Sequence, residues 1–77
     1  MNKIDIVINF VSKICSFTSI DKSTELIESG ILSSLSLFEL IEEIETEFDI
    51  RIGEALIISE NFVTVEKIVD TVLKEVD

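Results

Sequence analysis

Gly30-Ile31-Leu32-Ser33-Ser34-Leu35-Ser36-Leu37-Phe38-Glu39-Leu40 is the stretch whose reading decides the fold. A glycine turn and a cluster of serines open an acidic, helix-patterned segment that runs to about Phe48. Serine is a strong helix N-cap, because its side-chain oxygen accepts a bond from an otherwise unpaired backbone N–H. The start of a helix also carries partial positive charge and free donors, so an anion placed there is stabilised. Two readings are open for a hydroxyl at this place. In the plainer one, Ser33 or Ser34 caps the helix and does nothing more. In the other, a serine holds an anionic group against the helix start.

The segment has two faces. Leu37, Ile41, Ile44 and Phe48 form a buried stripe with Leu40 on its flank. At about 100° per residue, Leu35 falls roughly 160° from that stripe, among Glu39, Glu42 and Thr46. Single exposed leucines are common. An apolar residue ringed by acids is also what a docking surface for a basic, partly apolar partner contains. The acids point the same way. Glu39, Glu42, Glu43, Glu45, Glu47 and Asp49 crowd this helix, and no basic residue lies between Lys22 and Arg51. A charge run is usually a solvated face. Yet Glu39 with Glu43, and Glu43 with Glu47, are like charges at i,i+4 that weaken a helix by a few tenths of a kcal/mol each. A scaffold helix would gain from interspersed lysines, so a basic partner surface explains the pattern better.

Before this helix, Asn2 with Asp5 three residues on is a weak capping-box echo. Ile4, Val7, Val11 and Ile14 keep helical spacing, with Ile8 and Cys15 beside them. Ile4, Ile6, Ile8 and Phe10 also alternate as a strand would, but the pattern persists for about a dozen residues without a turn signal, which favours a helix. From Ser16 to Ser33 no period holds, and Thr18, Ser19, Asp21, Ser23, Thr24, Ser29 and Gly30 read as a long connection. Ile20, Leu26, Ile27, Ile31 and Leu32 are apolar pins for it, and Gly30 is its site of positive φ. Downstream, Gly53 marks a turn, and Leu56-Ile57-Ile58 is too short to classify by period. Ser59 with Glu60-Asn61-Phe62 suits a single capped helical turn. Thr64 then caps a final helix with Val65, Ile68, Val69, Val72, Leu73 and Val76 on one face. Glu66, Lys67, Asp70, Lys74 and Glu75 lie on the other.

Seventy-seven residues suit one small domain, residues 1–77, burying roughly 60–65% of its unfolded surface. The single Cys15 forms no internal disulfide, so the core rests on helix packing alone. The formal charge of −10 argues against nucleic acid and anionic membranes as partners. No apolar run reaches about 18 residues and no signal-peptide pattern opens the chain, so a cytoplasmic protein without membrane insertion is expected. With no histidine there is no Ser-His-Asp arrangement. Cys15 reads as a small core or rim residue rather than a nucleophile, and the paired carboxylates sit on a solvated helix, not around a pocket. The chain does not read as an enzyme.

Ser34-Leu35, followed by Glu39-Leu40, Ile44 and Glu47-Phe48, resembles the Asp-Ser-Leu segment and second helix of acyl carrier proteins. Ile52, Glu60-Asn61-Phe62 and Thr64-Val65 extend the likeness over nearly the whole chain. One departure is that the family's aspartate before the serine is Ser33 here. The resemblance sets the register on Ser34 rather than Ser33 or Ser36. It implies an all-α, acyl-carrier-like bundle of three main helices with a short extra helix and a long first loop. It implies that Ser34 carries a covalent 4'-phosphopantetheine arm derived from coenzyme A, holding an acyl or aminoacyl group as a thioester. Leu35, Glu39, Glu42 and Glu43 would then form the partner-binding face. The partners implied are a phosphopantetheinyl transferase and acyl-transferring or acyl-activating enzymes with basic docking surfaces, meeting a monomeric carrier. Fatty-acid or polyketide biosynthesis and a peptidyl- or aminoacyl-carrier role remain open. Ser33 keeps open an interaction module that has the carrier fold but no arm.

Overall fold

The computed structural model describes residues 2–16 and 19–76; Thr18, which belongs to the long connection, lies outside them. Three α-helices, α1 (Lys3–Cys15), α2 (Ser34–Phe48) and α3 (Val65–Thr71), are joined by the long first loop and by two 3-10 turns at Glu54–Leu56 and Ser59–Phe62. The described residues contain no strand, so length was the right arbiter for the alternating residues of α1. Where one short extra helix was expected, the chain makes two tighter turns.

Each α-helix starts on a side-chain cap. Asn2 Oδ1 accepts from Asp5 N at 2.8 Å, Ser33 Oγ from Ser36 N at 3.2 Å and Thr64 Oγ1 from Lys67 N at 3.0 Å. α1 and α2 both end on a left-handed residue that is not glycine, Ser16 at φ 54° and Asp49 at φ 53°. Their N–H groups donate back to Ser12 O and Glu45 O, closing the last turns. α3 stops at Thr71, short of the Val76 that its apolar spacing suggests. Beyond it the chain continues in turns, and Lys3 Nζ reaches from α1 to the carbonyls of Leu73 (3.2 Å) and Val76 (2.6 Å). That ammonium satisfies two carbonyls in the turns that follow α3. Val72 and Leu73 remain buried.

α1 packs against both α2 and α3, and the second 3-10 turn packs on α3. Val7 and Val11, Leu40, Ile41 and Ile44, and Val65 and Ile68 are the buried contributions of the three helices. The buried centre of α2 is Leu40 and Ile44, while Leu37 and Phe48 are half-buried at its ends. The middle turns face the core and the end turns its rim, so the sequence stripe is shifted toward Leu40. Phe62 is the largest fully buried side chain.

The long loop is stitched down. Leu26 N donates to Val63 O at 2.8 Å and Leu32 N to Leu26 O at 2.8 Å, while Glu66 N donates to Lys22 O at 3.1 Å. Ile20, Leu26 and Leu32 are buried, as their apolar character in a polar loop suggests, and Ile27 and Ile31 pack against the core half-buried. Asn61 is buried beside Phe62, and its side-chain amide donates to Leu56 O at 2.9 Å, tying the two 3-10 turns together. Gly30 has the expected positive φ, 82°.

These left-handed positions make opposite predictions. Asp49→Gly relieves the steric cost of φ 53° and should raise stability in urea unfolding by about 0.5–1 kcal/mol. Gly30→Ala should lower it by about 1 kcal/mol, although no atom lies within 4 Å of the added Cβ. A neutral Gly30→Ala would show that the loop relaxes the angle freely.

Candidate functional site

The three serines at the start of α2 face different tasks. Ser33 is the cap: its backbone is extended (φ −90°, ψ 175°), its Oγ accepts from Ser36 N, and its carbonyl accepts from Leu37 N at 2.9 Å. Ser36 turns inward and half-buried, with its Oγ 3.1 Å from Ser33 Oγ and a hydrogen bond to the Cys15 thiol. Ser34 is the first helical residue and is exposed. Since Ser33 does the capping, no hydrogen bond among the described residues engages the Ser34 hydroxyl. The first turn of α2 has no acidic residue, so no side-chain charge there opposes the positive end of the helix.

Cys15 is the last residue of α1, and it joins this corner. Burial pushes its thiol pKa up, and the charge of Glu39 adds to this, while the Ser36 hydrogen bond acts in the opposite sense. The net effect disfavours the thiolate beside the first turn of α2.

Leu35 is 71% exposed, and Glu39 and Glu42 are exposed with it, so these three expected site residues share one outward stripe. Glu43 is different. It leans toward α1, where its carboxylate lies 3.8 Å from Lys13 Nζ, a pair still open enough to contribute little. Glu45 also leaves the solvated row, accepting from Ile52 N at 2.8 Å and holding the chain after α2. Thr46 and the acids line two open grooves. One, of about 330 Å³, runs along Glu39, Glu42, Glu43 and Thr46; the other, of about 440 Å³, reaches Asp49, Ile50 and Arg51. Sequence reasoning missed Phe38. It is 64% exposed and stands one turn from Leu35. The signal was available, because Phe38 falls outside the Leu37, Ile41, Ile44 period.

Two predictions follow from this corner. Ser33→Ala leaves the Ser36 N–H without its cap and should cost about 1 kcal/mol in thermal or urea unfolding, while Ser33→Asp keeps the cap and gains from the helix dipole. A raised thiol pKa means a smaller thiolate fraction, so Cys15 should react with iodoacetamide more slowly than free glutathione between about pH 7 and 8.5. Ser36→Ala removes a hydrogen bond that favours the thiolate and should slow the reaction further. Alkylation as fast as glutathione's would mean that the corner opens readily.

Comparison with known proteins adds a family. No curated protein and no solved structure matches the chain. A family model described as the phosphopantetheine attachment site matches residues 5–72, from the first turns of α1 past the end of α3. Domains of this family carry a covalently attached 4'-phosphopantetheine, interact with phosphopantetheinyl transferases and acyl-handling enzymes, and are carriers rather than enzymes. An all-helical chain with a serine-capped, acidic second helix thus belongs to the phosphopantetheine-attachment family, that of the acyl carrier proteins.

Proposed function

We propose that this chain is a single carrier domain that bears its phosphopantetheine on Ser34. The observation that supports Ser34 is the division of labour at the helix start: Ser33 caps, Ser36 turns inward, and Ser34 is left exposed at the first helical position. The donor set suits a phosphodiester, since the N–H groups of the first turn and the helix dipole favour a negative charge there by about 0.3–1 kcal/mol. When bound, the arm supplies a terminal thiol on which an acyl or aminoacyl group is carried as a thioester. The chain's own residues anchor and present it. Leu35 with Glu39 and Glu42 offers an apolar and acidic face to enzymes with basic docking surfaces, and Glu43 stands at its edge, weakly paired with Lys13.

The net charge of −10 resists self-association and supports a monomer. Among the described residues no helix is long and apolar enough to cross a membrane. Service in fatty-acid, polyketide or related biosynthesis fits this carrier, as does a peptidyl- or aminoacyl-carrier role. Ser33, standing where the family has aspartate, supports a second reading as an arm-free interaction module, because it takes a carboxylate away from beside the modified hydroxyl.

Intact mass after treatment with a broad-specificity phosphopantetheinyl transferase and coenzyme A tests the assignment. One phosphopantetheine group is expected on the wild-type chain and on Ser36→Ala, and none on Ser34→Ala. Modification that survives in Ser34→Ala and vanishes in Ser33→Ala would move the site by one residue. A wild-type chain left unmodified would favour the arm-free module.

A further inference from the structure

The hydrogen bonds at the start of α2 leave one donor without a partner inside the protein. Ser33 Oγ accepts from Ser36 N at 3.2 Å and lies 3.1 Å from Ser36 Oγ, where either hydroxyl is able to donate. Ser36 in turn bonds the Cys15 thiol. A serine hydroxyl has one proton to give and two lone pairs to fill. If Ser33 donates to Ser36, then Ser36 donates to Cys15 and the S–H has no acceptor in the corner. If Cys15 donates to Ser36 and Ser36 to Ser33, both lone pairs of Ser33 Oγ are filled from within. The Ser33 proton is then directed away from them, toward solvent, on an exposed residue.

The next residue is Ser34, its Cα about 3.8 Å from that of Ser33. Ser34 and Leu35 occupy the first two helical positions, where a backbone N–H has no acceptor inside the helix. With the Ser33 hydroxyl, these N–H groups make three donors at the exposed Ser34 side chain. The first turn carries no acid, and the next carboxylate along the helix is that of Glu39. A neutral donor and an anionic acceptor differ most at such a place. Aspartate at position 33, as in the family that this segment resembles, would also cap the helix. It would set a carboxylate with no proton to give beside whatever Ser34 carries.

We propose that the Ser33 hydroxyl donates to the phosphodiester on Ser34, so that this chain holds its phosphopantetheine with a neutral donor at the preceding residue. The inference rests on Ser34 being the attachment residue. Ser33 binds the attached group and takes no part in attaching it. A hydrogen bond to an anion is about twice as strong as one between neutral groups, so the loaded state gains more from this proton than solvent does. Ser36 and Cys15 serve by filling the lone pairs of Ser33 and turning its proton outward.

The test compares what loading does to stability. Wild type, Ser33→Thr, Ser33→Asp and Ser33→Ala are each melted before and after treatment with a broad-specificity phosphopantetheinyl transferase and coenzyme A, with intact mass confirming one added group. A role for Ser33 in capping alone moves the loaded and unloaded melting temperatures together, so their difference reads the contact with the phosphate. Wild type and Ser33→Thr, which both keep the hydroxyl, should melt no lower loaded than unloaded. On loading, Ser33→Asp and Ser33→Ala should each fall about 4 °C behind the wild type, even though Ser33→Asp starts from the more stable unloaded form. Added salt of about 0.5 M should shrink the deficit of Ser33→Asp, which is like-charge repulsion, and leave most of that of Ser33→Ala, which is a lost hydrogen bond. Equal loading shifts in all four chains overturn the proposal and leave the Ser34 assignment standing. A deficit in Ser33→Asp with none in Ser33→Ala also overturns it, since repulsion alone then accounts for the data. A wild-type chain that is not modified, or a Ser34→Ala chain that is, overturns the assignment and this inference with it.

Discussion

Leu26 is the point through which the parts of this structure are tied together. Its side chain is fully buried, its N–H donates to Val63 just before α3, and its carbonyl accepts from Leu32 just before α2. A buried backbone group must find a partner or cost roughly 1–3 kcal/mol, and here both groups are satisfied by the starts of two different helices. The long loop thereby becomes a strut. It fixes where Ser33 meets α2, and with it the direction in which Ser34 faces.

The helix start then shows how three chemically identical side chains acquire different environments. Capping needs an oxygen on an extended residue just outside the helix, which Ser33 provides. One position on, Ser34 is inside the helix and faces water. Two positions further, Ser36 has rotated by about 200° and meets Cys15 at the end of α1. Electrostatics favour the middle one for an anionic substituent, since the first turn carries no acid and the six carboxylates begin at Glu39.

Those carboxylates are less uniform than their spacing suggests. Glu45 is spent inside the molecule on Ile52 N, and Glu43 leans on Lys13 from the neighbouring helix. Glu39 and Glu42 remain outward, beside Leu35 and Phe38. A row of acids on a small domain costs some stability through mutual repulsion. Tertiary packing softens that cost for the acids that face α1 and the following loop, and leaves the rest to meet solvent or a partner.

By itself the sequence determined the helices. Caps such as Asn2 and Thr64 act over three residues, and the apolar periods belong to the local geometry of one element. The exposure of Leu35 and the turn at Gly30 were legible for the same reason. The register on Ser34 came from likeness to a family, because local chemistry alone allows either Ser33 or Ser34 to cap. Only the tertiary structure decided that Ser33 caps in fact, that α3 ends at Thr71 and that Asn61 is buried between two turns. It also separated the acids of α2 into internal and outward ones and left Phe38 in solvent. Some of this involves groups far away in the chain, such as Lys3 at the carbonyls of Leu73 and Val76 beyond α3 and Lys13 beside Glu43. A period of 3.6 residues says which side chains share a face, but the partner that covers that face is known only when the helices are packed.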